Sequence, residues 1–185
     1  MFTPKLLRAI NKSAALHLGQ IRKAGGGPYI THPFAVAWIV SEYNKNEDVL
    51  CAALLHDVLE DIPNYSYQDL SNDFGPEVAD LVKNLTEDKT EPDWLKRKTN
   101  HLNNLKNASG EVLLISLADK LHNIWSMRES YQMYGEKMWQ MFNSPSDKKL
   151  WYYEEVLKLA ATKLNSSIIQ ELNKSLNSLK DLTGK

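Results

Sequence analysis

The chain has 185 residues, 43% of them hydrophobic and 24% charged, which suits one globular domain, residues 1–185, with a sizeable core. A net charge of −1 and a pI of about 6.5 argue against a broad electrostatic grip on nucleic acid, while leaving room for a local basic pocket. Cys51 is the only cysteine, so no intrachain disulfide can form, and a reducing compartment is expected.

The first predicted element is a helix over residues 5–20, with Leu6, Leu7, Ile10, Ala14 and Leu16 at helical spacing. Ala24-Gly25-Gly26-Gly27-Pro28 breaks it, and Pro33 opens a second helix continued by Phe34, Ala37, Trp38 and Val40. A continuous helix from Asp48 to Asp61 follows, stopped by Ile62-Pro63. Its apolar run makes Cys51 a buried, inert thiol. Ser66-Tyr67-Gln68-Asp69 reads as a capping box for a short helix ending near Gly75, and Pro76 starts the next.

After a polar loop at 87–93, helices are predicted at 94–107, 110–131, 146–163 and 166–181. Residues 132–146 are the candidate mobile flap, and 181–185 are expected to fray. No strand-length alternation occurs, so the predicted fold is all-α. No segment approaches about 18 apolar residues and no signal-peptide pattern opens the chain, so a cytoplasmic protein with no membrane partner is expected.

The chemistry concentrates in two stretches. His56, Asp57, Glu60 and Asp61 crowd the end of the helix predicted over Asp48–Asp61, with His56 and Glu60, and Asp57 and Asp61, four residues apart. So many ionisable groups on an apolar helix are costly unless a cation compensates them. Asp119 emerges from the apolar run Leu113–Ala118, and Asp119, Asn123 and Ser126 follow one line of their helix. Imidazoles and carboxylates together suit a divalent cation. The alternative is a solvated acidic helix end with His56 packed in the core. His17, His101 and His122 read as ordinary surface or supporting residues, and Lys120 as exposed.

These stretches, in order, resemble the HD superfamily of metal-dependent phosphohydrolases, and more closely the hydrolase domain of RelA/SpoT-type alarmone enzymes. The resemblance is carried by Gly19-Gln20-Ile21-Arg22-Lys23, Tyr29-Ile30-Thr31-His32-Pro33, Leu55-His56-Asp57-Val58-Leu59-Glu60-Asp61, Phe74-Gly75-Pro76-Glu77-Val78, Leu85-Thr86-Glu87-Asp88-Lys89-Thr90 and Ala118-Asp119-Lys120-Leu121-His122-Asn123. The chain is short for the synthetase and regulatory domains of the long enzymes, which points to the stand-alone small alarmone hydrolases.

The resemblance implies a compact all-α HD-domain bundle and one divalent ion, manganese in most relatives. It also implies removal of the 3′-pyrophosphate from ppGpp or pppGpp. His32, His56, Asp57 and Asp119 would hold the metal, and Glu60 and Asp61 match the family's catalytic pair. Arg22, Lys23, Asn123, Ser126 and Tyr152 match substrate-binding positions. The partner implied is a small nucleotide, and oligomeric state is not legible. Trp125 departs from a more polar family position, the Ala24–Gly27 loop varies in length among relatives, and Glu91-Pro92-Asp93-Trp94 places an acid where a phosphate-binding lysine can occur. Other substrates therefore stay open: an adenine alarmone, or NADPH losing its 2′-phosphate. A nucleotide-binding module without turnover is the remaining alternative.

Overall fold

The computed structural model describes residues 2–23 and 26–185; Ala24 and Gly25, part of the predicted glycine-rich break, lie outside the described residues. The first six helices are α1 (Pro4–Leu16), α2 (Thr31–Tyr43), α3 (Glu47–Leu54), α4 (Val58–Asp61), α5 (Tyr67–Phe74) and α6 (Pro76–Leu85). They are followed by α7 (Trp94–Asn107), α8 (Gly110–Tyr134), α9 (Ser146–Ala161) and α10 (Ile168–Thr183). The described residues form no sheet, only an isolated antiparallel bridge between Ile21 and Pro28.

Local chemistry sets many of these boundaries. The Thr3 hydroxyl accepts the Leu6 N–H at the start of α1, where Pro4 needs no amide donor. Ser66 and Asp69 close a reciprocal capping box on α5. Gly75 joins α5 to α6 with φ +95°, a conformation glycine adopts without penalty, and Pro76 then starts α6.

The 25-residue α8 is the spine. Leu113, Ile115, Leu117, Leu121 and Ile124 are fully buried around it, each contributing on the order of 2 kcal/mol. Apolar on nearly every side, it is enclosed by α2, α6, α9 and α10. Cys51 is buried in α3, and burial pushes its thiol up to about 11.

The structure differs from the sequence expectation in several places, the first being α1, predicted over residues 5–20 but ending at Leu16. The helix predicted over Asp48–Asp61 is broken at 55–57. In an unbroken helix the Asp57 amide would bond to the Ala53 carbonyl. That carbonyl instead faces His56 Nδ1 at 2.8 Å, and Asp57 O starts a new turn by accepting the amides of Glu60 and Asp61.

Residues 132–146, the candidate flap, are folded over much of their length: α8 continues to Tyr134, and Gly135–Met141 form a 3-10 turn packed on α8 through fully buried Met138. The chain end does not unwind at 181 either. α10 runs to Thr183, whose buried hydroxyl donates to Leu179 O.

Candidate active site

His32 on α2, His56 and Asp57 at the α3–α4 break, and Asp119 on α8 converge. One ligand atom each from His32, His56 and Asp119 fall within 4.8 Å of one another. His32 Nε2 lies 3.1 Å from Asp119 Oδ1 and 3.6 Å from Asp57 Oδ2, and His56 Nε2 lies 3.0 Å from Asp57 Oδ2. The two imidazoles are 2% and 5% exposed. On a regular helix, neighbours such as His56 and Asp57 point about 100° apart. The break is what turns both towards one centre.

The distal ring nitrogens are fixed by other contacts. Ala53 O can only accept, so His56 Nδ1 carries the proton and donates. Nε2 is then left facing the cluster, buried and without a hydrogen-bond partner, since its contact with Asp57 lacks hydrogen-bond alignment. His32 Nδ1 pairs with His122 Nδ1 at 2.7 Å. This is the outer support expected of cation-binding imidazoles. His122 is therefore part of the site rather than a surface residue.

Asp119 is held on both oxygens: Asn123 Nδ2 donates to Oδ1 at 2.5 Å and Lys120 Nζ to Oδ2 at 2.7 Å. Lys120 is 7% exposed, contrary to the sequence expectation, because its long stem folds back beside Asp119 instead of reaching solvent. Tyr29 donates to Asp57 Oδ2 at 2.5 Å and stacks on buried His17.

Burial by itself would lower His56, but Asp57 and Asp119 outweigh it and raise the imidazole to about 9. Burial lowers His32. For Asp57, burial pushes upward, yet His56 and His32 hold the carboxyl well below its usual range. The set thus stabilises positive charge at its centre. An orphaned imidazole nitrogen, a second imidazole and two carboxylates fit a divalent cation, which would compete with the proton for His56 Nε2.

Glu60 and Asp61 stand beside this centre on α4. Glu60 Oε2 accepts the Glu87 amide at 3.3 Å, and Lys89 reaches Glu60 at 3.4 Å and Asp61 at 2.5 Å. Burial, then the charges of Asp57 and Glu87, push Glu60 up to about 7.

The centre opens to a cleft of about 610 Å³ lined by Arg22, Lys23, Asn123, Ser126, Phe142 and Tyr153 among others, and to an inner cavity of about 200 Å³. Arg22 donates to Asn123 Oδ1 at 3.0 Å and lies 3.5 Å from Ser126 Oγ, with its guanidinium over the Tyr29 ring. Tyr152 is almost fully buried and lines only the inner cavity, with its hydroxyl 2.6 Å from His101 Nδ1. His101 Nε2 faces the Leu85 carbonyl, so Nδ1 is the acceptor and the Tyr152 proton is committed to it. His101 is buried, so of the two roles expected for it, surface or supporting, it takes the supporting one.

Sequence reasoning passed over Lys149 and Tyr153, whereas Lys98 belongs to a basic cluster, Lys89, Lys96, Arg97 and Lys98, whose members could meet phosphates. Lys149 and Lys98 line both cavities, and Lys98 pairs with Glu87 while lying 4.5 Å from the Tyr152 ring centre. Burial and the neighbouring Lys98 lower Lys149 to about 8. The only signal for Lys149 and Tyr153 was their i, i+4 spacing on α9, which is common on any helix.

The fold and the site define an all-helical protein with a histidine–aspartate centre between a wide cleft and a deeper polar cavity. Residues 9–142 match the HD domain family model, and the chain belongs to that family.

The chain is 38% identical over 126 residues to the Xenopus tropicalis guanosine-3′,5′-bis(diphosphate) 3′-pyrophosphohydrolase MESH1, a match covering 66% of this chain and 69% of that protein. It is 42% identical over 115 residues to the Escherichia coli K12 bifunctional (p)ppGpp synthase/hydrolase SpoT; the match takes in 58% of this chain and 16% of that enzyme's length. A solved structure described as a metazoan orthologue of SpoT that hydrolyses ppGpp superimposes with a TM-score of 0.82 at 28% identity. The superposition covers 96% of this chain and 97% of that one.

Proposed function

We propose that this protein is a metal-dependent hydrolase that removes the 3′-pyrophosphate from ppGpp or pppGpp. The observation that carries the reading is the convergence of His32, His56 and Asp119, with Asp57 against both imidazoles, beside the Glu60-Asp61 pair. The named activities of MESH1 and of the solved metazoan relative support it. His32, His56, Asp57 and Asp119 are the proposed ligands, and manganese the proposed ion. Among the described residues no helix is long and apolar enough to cross a membrane, and a cytoplasmic setting is part of the proposal.

A divalent cation held by these residues would supply Lewis acidity there. Glu60, poised near 7, is placed to take or return a proton during hydrolysis, with Asp61 orienting the attacking water from the next position on α4. Lys89 pairs with both acids and is available to phosphate oxygens as substrate enters. Arg22 and Lys23, with Asn123 and Ser126, receive the nucleoside end at the cleft mouth, where a planar guanidinium can stack on a purine. Lys98 and Lys149 balance phosphate charge further in. Tyr152 acts from beneath, through its bond to His101.

The test is incubation of manganese-loaded protein with ppGpp, with GDP and pyrophosphate identified by chromatography. Both products form with the unaltered chain, and turnover collapses in Glu60→Ala while bound metal persists. Full activity after chelation of all divalent ions refutes the mechanism.

A further inference from the structure

Arg22 at the cleft mouth is joined to the histidine–aspartate centre by two short routes. Both begin in the chain pairing around the bridge between Ile21 and Pro28, where the Arg22 amide donates to Gly27 O at 2.9 Å and the Tyr29 amide to Gln20 O at 2.8 Å. Side chains alternate along each paired segment, so Arg22 and Tyr29 leave the pairing on the same face. Both line the cleft.

The first route runs through Tyr29. The Arg22 guanidinium carbon lies 5.8 Å from the centre of the Tyr29 ring, and the Tyr29 hydroxyl donates to Asp57 Oδ2 at 2.5 Å. Buried His17 at 4.9 Å and buried His32 at 5.8 Å confine that ring from other sides.

The second route runs through Asn123. Arg22 Nη2 donates to Asn123 Oδ1 at 3.0 Å, and Asn123 Nδ2 donates to Asp119 Oδ1 at 2.5 Å. A guanidinium can only donate and an ionised carboxylate can only accept, so the amide has one satisfactory orientation between them. Hydrogen bonds in such a chain polarise and strengthen one another.

The two routes end on carboxylates that come from different elements, Asp57 from the α3–α4 break and Asp119 from α8, yet they start at one side chain. A purine stacked on the guanidinium fixes Arg22, and through it Tyr29 and Asn123. A cation fixes Asp57 and Asp119, and through them the same two residues. Whichever ligand binds first orders this set, and the second finds it already ordered.

We propose that Arg22, Tyr29 and Asn123 link the nucleoside seat to the cation centre, so that a purine nucleoside and a divalent cation each strengthen the other's binding. The inference rests on the hydrolase reading, which supplies both ligands, and adds a regulation to it: the ion is held most tightly while a nucleoside occupies the mouth. Tyr29 acts here as a positioning residue, through Asp57.

The experiment titrates the chelator-treated 185-residue chain by calorimetry with Mn²⁺ and with guanosine, which carries no phosphate to reach the ion directly. Saturating guanosine tightens Mn²⁺ binding about tenfold, and Mn²⁺ tightens guanosine binding by the same factor, as linkage requires. Tyr29→Phe keeps the ring and removes the hydroxyl, and Asn123→Ala removes the amide. Each lowers the factor to about threefold, and the double variant lowers it to about one.

A factor below about two in the unaltered protein overturns the inference without appeal to any variant. So does an undiminished factor in the double variant, even where both affinities fall, because a purely structural role would leave that signature. Guanosine that fails to bind with or without Mn²⁺ overturns it too. Release of GDP from ppGpp by the same preparation judges the hydrolase reading separately.

Discussion

The α3–α4 corner and the α8 spine supply the same kinds of side chain by opposite means. At the corner the helix is interrupted, and the interruption aims two consecutive residues, His56 and Asp57, at one point. Along α8 the helix is unbroken, and its periodicity spreads Ser116, Asp119, Asn123 and Ser126 at graded depths. A break concentrates charge, whereas a straight helix distributes it. A site that must grip an ion and also read an extended ligand uses both.

The largest effect should come from removing charge at the break. Asp57→Ala is expected to lose on the order of 10³-fold in kcat/KM together with bound metal, read by elemental analysis and initial rates. Asp119→Ala should match it, because both helices must contribute. A variant at either position that keeps its metal and its rate would show that only one of the two regions builds the centre.

The floor beneath α8 should reveal itself through pH. Burial and then Lys120 lower His101 to about 4 from an ordinary value of 6.5. Between those values the unfolded chain binds the proton and the folded one does not. Stability therefore falls as pH drops through 6.5 towards 4, by up to about 3 kcal/mol. Urea titrations across this range should show that slope, and His101→Gln should flatten it.

Next is the support behind the centre. His122→Phe removes the partner of His32 Nδ1 and should weaken metal binding about 10–100-fold, measured by competition with a chelating dye. His122→Asn, which keeps a polar group near the ring, should recover part of the loss.

The smallest effect is expected at the outer end of the α8 line. Asn123→Ala frees Arg22 and one Asp119 oxygen, and should raise KM roughly tenfold with a smaller change in kcat. An equal fall in kcat would place Asn123 at the centre and compress the grading of depths along α8.

Helix content and several boundaries were written locally. The Ser66 capping box, Pro76 at the start of α6 and the apolar run of α8 act within a turn or two, so the residues themselves disclose them. The Asp48–Asp61 helix failed because a side chain, His56, takes over the backbone carbonyl that helix continuation needed. Lys120 was misplaced because charge suggests solvent, whereas Asp119 and Glu87 offer it anionic company inside.

By itself the sequence determined an all-helical chain and marked the histidines and acids worth assembling, because periodicity, caps and rare charges in apolar runs are local properties. Only the tertiary structure decided that His32 meets Asp119 across 87 positions of chain, that His122 backs His32, and that Arg22 reaches Asp57 through Tyr29 and Asp119 through Asn123. Those relations depend on how α2, α3 and α8 pack, and packing is settled by the whole core at once.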